Sequence, residues 1–415
     1  MINNIQNIDV VMDKQTVAKE LIKKYQLKDE VKNGCSQFVG IICKDTDALI
    51  SLPYNFMKIE NFKNLSIESQ FKNIQVILMS ILIYNRTQGL SGVEDFNCSF
   101  PINAYNQIYE FYQKYGLYYE NIVNVKIGQS GNIDWKTTFR KSNSFINTAS
   151  NTVVYFPFYQ KEKIITNNLI TECVAFVLNY TKEYFKDLLS LPMSTELEKF
   201  GINYSLLNNK DYVVQQLNKE LSHTYKDHLR NLITNLIRFF EKLETNYNYD
   251  FSMVQFEFHN VWEHAVNAYL TNHFSGVNPD TAQFNFESEK VRKFFFQKDS
   301  QSYDKAHSQN VLEPDHYYLD EESDIQYIFD SKYMKELNGL NHKQLIYGFL
   351  YGNRAKKTYN TLILPGLPSI DKNQVQVQKH VEVKEEFLPS SVNEQIIYQI
   401  KLNEKAVLES FVSES

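Results

Sequence analysis

The sequence predicts an α/β protein, with an α+β N-terminal region and a C-terminal domain built on a central mixed sheet flanked by helices. Three observations carry that prediction. At 415 residues the chain is too long for one ordinary core, and its hydrophobic content of 43% can fill several. Two runs rich in aromatic and aliphatic residues, Tyr317-Tyr318-Leu319 and Ile325 to Phe329, flank a short acidic turn and read as a β-hairpin. Helix-period stripes bracket that hairpin: Phe258, Val261, Trp262, Ala265, Val266, Tyr269 and Leu270 before it, and the stretch Leu340 to Tyr351 after it.

Taken in order, residues 1–200 form a mixed region. Helical patterns run over Thr16 to Tyr25, Ser66 to Arg86 and Ala104 to Tyr115, followed by a strand-like Thr152 to Tyr159. After the turn signal Gly128 to Gly131, the segment Gly131 to Thr138 leads into Arg140 and Lys141. It reads either as a wing-like hairpin beside a helix or as a surface turn anchored in the core by Trp135. Residues 201–249 form a helical connector, because Leu217, Leu221, Tyr225, Leu229, Ile233, Leu236 and Phe240 recur at three- and four-residue steps, as one long helix or a helical pair. A boundary near Asn246 to Asp250 opens the domain 250–415. There a helix over Val254 to His273, a second charged helix near Glu287 to Phe296 and a strand-rich tail are expected. In that tail Val375, Val377, Val381 and Val383 alternate with polar residues as a half-exposed strand.

Composition narrows the chemistry. Cys35, Cys43, Cys98 and Cys173 are scattered with no CxxC pair, which argues against a disulfide framework or a zinc site and for free thiols in a reducing cytoplasm. Met1 to Lys14 lacks the basic start and apolar run of a signal peptide, and the longest apolar run, Val76 to Tyr84, is far below the roughly 20 residues of a membrane span. A cytoplasmic protein without a membrane segment is therefore expected. The formal charge of -6 decides little about nucleic acid, since a local basic surface matters more than the sum.

The informative stretch is Glu313-Pro314-Asp315, the hairpin, and Asp330-Ser331-Lys332. The hairpin brings Asp315 and the Asp330 to Lys332 segment together at one end of a sheet, and period-two alternation puts Lys332 on the face of Asp330. Carboxylates from neighbouring strands, with no nitrogen or sulfur ligands, suit a hard cation completed by water and phosphate oxygen. Mg2+ is the natural occupant and Mn2+ its substitute. Phosphodiester cleavage needs an activated water and a stabiliser for the charge that grows on phosphorus, tasks that a metal and Lys332 can divide.

This pattern resembles the PD-(D/E)xK nuclease superfamily, matched by Pro314-Asp315 and Asp330-Ser331-Lys332 with fourteen residues between the aspartates. The resemblance implies a restriction-endonuclease-like core and adds an acid on a preceding helix, for which Glu263 is the candidate and Glu257, Glu287 and Glu289 are rivals. It also adds a following helix with Gln and Tyr, supplied by Gln344 with Tyr347 or Tyr351; a strict Gln-x-x-x-Tyr would need tyrosine where Gly348 stands. The predicted catalytic set is Asp315, Asp330, Lys332, Glu263 and Gln344, with Asp315, Asp330 and Glu263 as metal ligands. Arg354, Lys356, Lys357, Lys136 and Arg140 are candidate contacts to the DNA backbone, although charge runs of this kind are often simply solvated.

Phe329-Asp330-Ser331-Lys332-Tyr333 and the Gly131 to Thr138 segment look like the LlaJI-type and McrC-like restriction nuclease subunits. That resemblance implies a metal-dependent endonuclease of an antiviral restriction system, acting on double-stranded DNA with a separate AAA+ GTPase or ATPase motor docked on the N-terminal region. The chain has no GxxxxGK[ST] sequence of its own. Cutting both strands needs two active sites, which implies a homodimer or motor-driven pairing. The alternatives are a repair or recombination nuclease with the same core and a catalytically silent DNA-binding scaffold, the latter disfavoured by the intact Asp315, Asp330 and Lys332.

Overall fold

The computed structural model describes residues 5–88, 95–128, 132–166, 168–186, 188–189, 191, 194–243, 250–337, 339–370, 374–375, 377–388 and 394–414. It is an α/β structure with two compact units that interleave along the chain. One comprises residues 1–100, 185–191 and 247–415, the other 101–184 and 192–246. The consecutive division at 200 and 249 does not follow these units. The expected boundary at Asn246 to Asp250 lies, up to residue 249, outside the described residues.

The first unit holds two five-stranded sheets. One is built from β1 (Asn7–Met12), β2 (Val39–Lys44), β3 (Asp47–Leu52), β4 (Phe96–Cys98) and β5 (Phe251–Gln255), in the order β1-β3-β2-β5-β4. β5 explains the interleaving. Its residues Phe251 to Gln255 pair antiparallel with Cys43 to Val39, more than 200 positions earlier in the chain. Gly40 permits that approach, since its φ is +141° and a Cβ there would collide with the Met253 carbonyl oxygen. The predicted helix over Val254 to His273 is therefore corrected. Val254 and Gln255 belong to β5, and the helix α2 (Phe258–His273) begins only after a short break. α2 buries its predicted stripe, with Val261, Trp262, Ala265, Val266 and Leu270 fully enclosed, against α1 (Ile67–Gln88) and the C-terminal helix α4 (Glu404–Glu414).

The second sheet carries the expected hairpin. β6 (His316–Asp320) and β7 (Ile325–Ser331) pair antiparallel with His316 opposite Phe329. β7 then pairs parallel with β8 (Lys357–Gly366), β8 parallel with β10 (Ile396–Asn403), and β10 antiparallel with β9 (Val377–Glu382). A parallel β7–β8 pair needs a crossover, which α3 (His342–Tyr351) provides. The sheet is mixed and flanked on both faces, as predicted. Ile328 packs with Tyr317, Tyr347 and Tyr351 on one side. On the other, Tyr327 and Phe329 meet Phe274, with ring centroids 5.3 and 5.6 Å apart.

The helix expected near Glu287 to Phe296 is absent; this stretch has no regular secondary structure. Phe294 and Phe296 are buried while Phe295 is 65% exposed. That in-out-in alternation is the signature of extended chain, and it lets Phe294 pack against Phe274 and Phe296 stack on Phe329, where a helix would turn them apart.

In the second unit the predicted helical pair appears as Lys210–His223 and Asp227–Lys242, beside helices Ile102–Tyr115 and Leu169–Tyr184. The predicted strand Thr152 to Tyr159 splits into Thr152–Phe156 and Tyr159–Thr166. Of the Gly131 to Thr138 segment, residue 131 lies outside the described residues. The rest is a two-residue strand, Asn132–Ile133, running into the helix Trp135–Lys141, which Asp134 caps by accepting from the Thr137 N–H. The hairpin follows that helix, pairing Asn143–Asn147 with Thr152–Phe156. Trp135 is 50% exposed and anchors no core. Among the described residues, no helix is long and apolar enough to cross a membrane.

Candidate active site

Asp330 is the penultimate residue of β7, and Asp315 stands one register step beyond the last β6–β7 pair, so the strand ladder itself brings the two carboxyls together. Asp315 Oδ2 accepts from the Ser331 N–H at 2.9 Å, which ties the loop before β6 to the end of β7. Asp330 is 0% exposed and ion-paired with the Lys332 ammonium, which is 23% exposed. Apart from that ammonium, no donor reaches either Asp330 oxygen among the described residues. Its side chain shares a face with Lys332, as period-two alternation requires, and the Lys332 N–H donates to the Ile363 carbonyl at 2.8 Å, continuing the hold on β8.

Glu263 arrives from α2. Its neighbours in the stripe are locked in the core, while Glu263 itself reaches Lys298 Nζ at 2.7 Å. Burial pushes the Asp315 carboxyl up to about 7, and the charges of Asp330 and then Glu263 add to it; Lys332 and the Ser331 N–H pull the other way. Asp315 thus lies within Coulomb range of both Asp330 and Glu263. Glu313, two residues before Asp315, lies 3.9 Å from Lys298 as well.

Gln344 is fully buried, but its amide serves the sheet. Nε2 donates to the Ile328 carbonyl at 3.2 Å and to Asn360 Oδ1 at 2.5 Å, bracing β7 and β8 two residues upstream of Asp330. Tyr347 lies nearer the acids. Its hydroxyl donates to the Glu313 carbonyl at 2.5 Å, and its phenol is pushed up first by burial and then by the charges of Asp330 and Asp315. Tyr351 instead reaches the Asp299 carbonyl at 2.8 Å. A side chain at Gly348 would displace the Gln395 amide, which donates to the Leu345 carbonyl at 2.8 Å.

Of the expected DNA contacts, Arg354, Lys356 and Lys357 lie away from the site's acids. Lys357 pairs with Ile325 at the opposite end of β7, five residues or about 16 Å from Asp330. Arg354, Lys356 and Lys357 are each matched to an acid, Asp299 at 2.7 Å, Asp324 at 3.2 Å and Glu394 at 3.7 Å. Arg354 also lies over the Tyr351 ring, 4.3 Å from its centroid. Lys136 and Arg140 are exposed on the Trp135–Lys141 helix of the other unit. His316 is buried between Asn267 and Ser331 at 3.1 and 2.8 Å, and burial drives its imidazole down to about 3, so it is neutral and structural.

Lys298 and Glu313 are the site residues that sequence reasoning missed. Glu313 was at least adjacent to the motif, whereas Lys298 sits in the irregular approach to the hairpin, where nothing local distinguishes it from any surface lysine.

The family described as LlaJI restriction endonuclease matches residues 38–395. The chain belongs to the LlaJI restriction endonuclease family. Among solved structures, it is similar to a half-complex from a tetradecameric assembly of Thermococcus gammatolerans McrB AAA+ hexamers with bound McrC. That match has 11% identity, covers 98% of each chain and has a TM-score of 0.37. A second match, to the McrBC complex of the same organism, has 9% identity, covers 62% of this chain and 88% of that one, and has a TM-score of 0.24. Among curated proteins, no match is found.

A divalent cation fits the donor set of this site. Asp315, Asp330 and Glu263 offer only oxygen, and apart from the Lys332 ammonium no donor reaches the buried Asp330 among the described residues, so its remaining lone pairs are open to a cation. Among the described residues, no three acidic, imidazole or thiol groups already converge into a ready-made cage. Two of the three carboxylates are instead drawn to lysines, Glu263 to Lys298 and Asp330 to Lys332.

Proposed function

We propose that this restriction endonuclease is the nuclease subunit of a two-component defence system that hydrolyses phosphodiester bonds of double-stranded DNA with a divalent cation, Mg2+ or Mn2+. The observation that carries the reading is the meeting of Asp315, Asp330, Lys332 and Glu263 at one end of the mixed sheet, in a chain of this family. Asp315, Asp330 and Glu263 would hold the cation. When bound, it supplies Lewis acidity to the scissile phosphate and lowers the pKa of a coordinated water. Lys332, held on Asp330, sets a fixed positive charge where negative charge grows on the phosphate as water adds to phosphorus and the ester oxygen departs. Gln344 is a positioning residue in this reading, keeping β7 in register beneath Asp330. Tyr347 closes the helix side of the site.

The chain carries no nucleotide-binding loop, so a separate AAA+ GTPase or ATPase would supply activation. The N-terminal part offers a place for that partner to dock. On the Trp135–Lys141 helix and the hairpin beside it, Trp135, Phe139, Phe145, Ile146 and Phe156 are at least half exposed, an apolar surface of the kind protein contacts bury. Lys136 and Arg140 on the same helix, with Arg354, Lys356 and Lys357 on the nuclease unit, are the candidates for contact with DNA.

The test is plasmid cleavage by the purified chain with Mg2+, with and without a candidate motor and GTP or ATP, repeated with Asp330→Ala and Lys332→Ala. Cleavage by wild type and its loss in both variants is the expected result. Equal nicking by all three, or cutting by none in any combination, would overturn the assignment.

A further inference from the structure

The two lysines at the site differ in origin and freedom. Lys332 belongs to the Asp-x-Lys motif and is mostly buried on Asp330. Lys298 comes from the irregular segment before the hairpin, outside any motif, and its side chain is 52% exposed. Its ammonium sits 2.7 Å from Glu263 Oε1, with Glu313 Oε1 at 3.9 Å. The backbone of Glu263 is fixed on α2, whose residues Trp262, Ala265 and Val266 are fully enclosed, and its side chain is 20% exposed against 52% for Lys298. A divalent cation liganded by Glu263 needs the space that the ammonium fills, and like charges exclude one another there. Lys298 is the member free to move, since its half-exposed stem can swing the ammonium into water or toward Glu313.

We propose that Lys298 is the resident counter-cation of Glu263 in the metal-free protein and competes with the divalent cation, setting the metal concentration at which the site fills. The proposal rests on the metal-dependent reading given above. It accounts for carboxylates that repel Asp315 from two sides, each held by a lysine, yet form no ready-made cage among the described residues. Lys298 is a positioning residue, acting through Glu263 on the cation, and it keeps the apo site from accumulating unpaired negative charge.

The test reads metal binding without DNA or turnover, by titrating Mn2+ into the full chain and following free Mn2+ by electron paramagnetic resonance. Lys298→Met keeps the stem and removes the charge; it should bind Mn2+ about tenfold more tightly than wild type. Lys298→Arg keeps the charge and should stay near wild type. Adding Glu263→Gln to Lys298→Met should abolish the gain. Thermal melts of each variant, expected near wild type for a half-exposed position, establish that it is folded. Equal Mn2+ affinity in wild type and Lys298→Met overturns the counter-cation role while leaving the metal reading standing. Absence of Mn2+ binding in every variant overturns both.

Discussion

Removing the charge of Lys332 tests how Asp330 is held. Asp330 is 0% exposed and its counter-charge is Lys332, so Lys332→Met strands a carboxylate where neither water nor a donor reaches it. Breaking a buried ion pair from one side costs about 3–5 kcal/mol, and the 23% exposure of Lys332 puts this case near 3 kcal/mol. The opposite change is cheaper, because after Asp330→Asn the lysine can turn its ammonium to solvent, for a cost of about 1 kcal/mol. The double variant should therefore be more stable than Lys332→Met alone. Urea unfolding without metal measures this, followed by Trp262 fluorescence in a Trp135→Phe background, since these are the two tryptophans of the chain and only Trp262 lies in the unit with the site. Lys332→Met as stable as its parent, or a double variant that loses the sum of the single effects, would refute the reasoning.

Gln344→Leu should lose about 2 kcal/mol, because Asn360 and the Ile328 carbonyl forfeit a buried donor, while Mn2+ affinity stays near wild type; unchanged stability with cleavage down more than a hundredfold would instead put Gln344 in the chemistry. At the start of α4, Glu404 is enclosed with one oxygen lacking a donor; burial pushes its carboxyl up to about 8, and that of Asp13 to about 6. The folded protein thus keeps protons that the unfolded chain, with carboxyls near about 4, has released, so stability falls as pH rises from about 4 to 8. Glu404→Gln should flatten the decline in melting temperature between pH 5 and pH 8, and parallel curves for the two proteins would contradict it.

Local chemistry made the hairpin readable. Two aromatic and aliphatic runs around an acidic turn read as a hairpin, and the period-two geometry of the second strand also puts Asp330 and Lys332 on one face. The α2 stripe was readable for the same reason, with Glu263 at its edge. Where the reading failed, competing long-range pairing had won. Val254 and Gln255 continue a helical pattern in sequence, yet Met253 to Gln255 complete the ladder between β2 and β4. Phe294 and Phe296 look like part of a charged helix until Phe274 and Phe329 are there to receive them. The acids beside Arg354, Lys356 and Lys357, namely Asp299, Asp324 and Glu394, were likewise not legible in the local charge run.

The sequence by itself determined the hairpin, the flanking helices and the identity of the acids and lysine at their end, because periodicity and the reach of neighbouring strands are local properties. Only the tertiary structure decided that Gln344 braces the strands, that Tyr347 rather than Tyr351 faces the aspartates, and that Lys298 holds Glu263. Each of those depends on which distant segments come within hydrogen-bond or Coulomb range, and no short-range pattern encodes that.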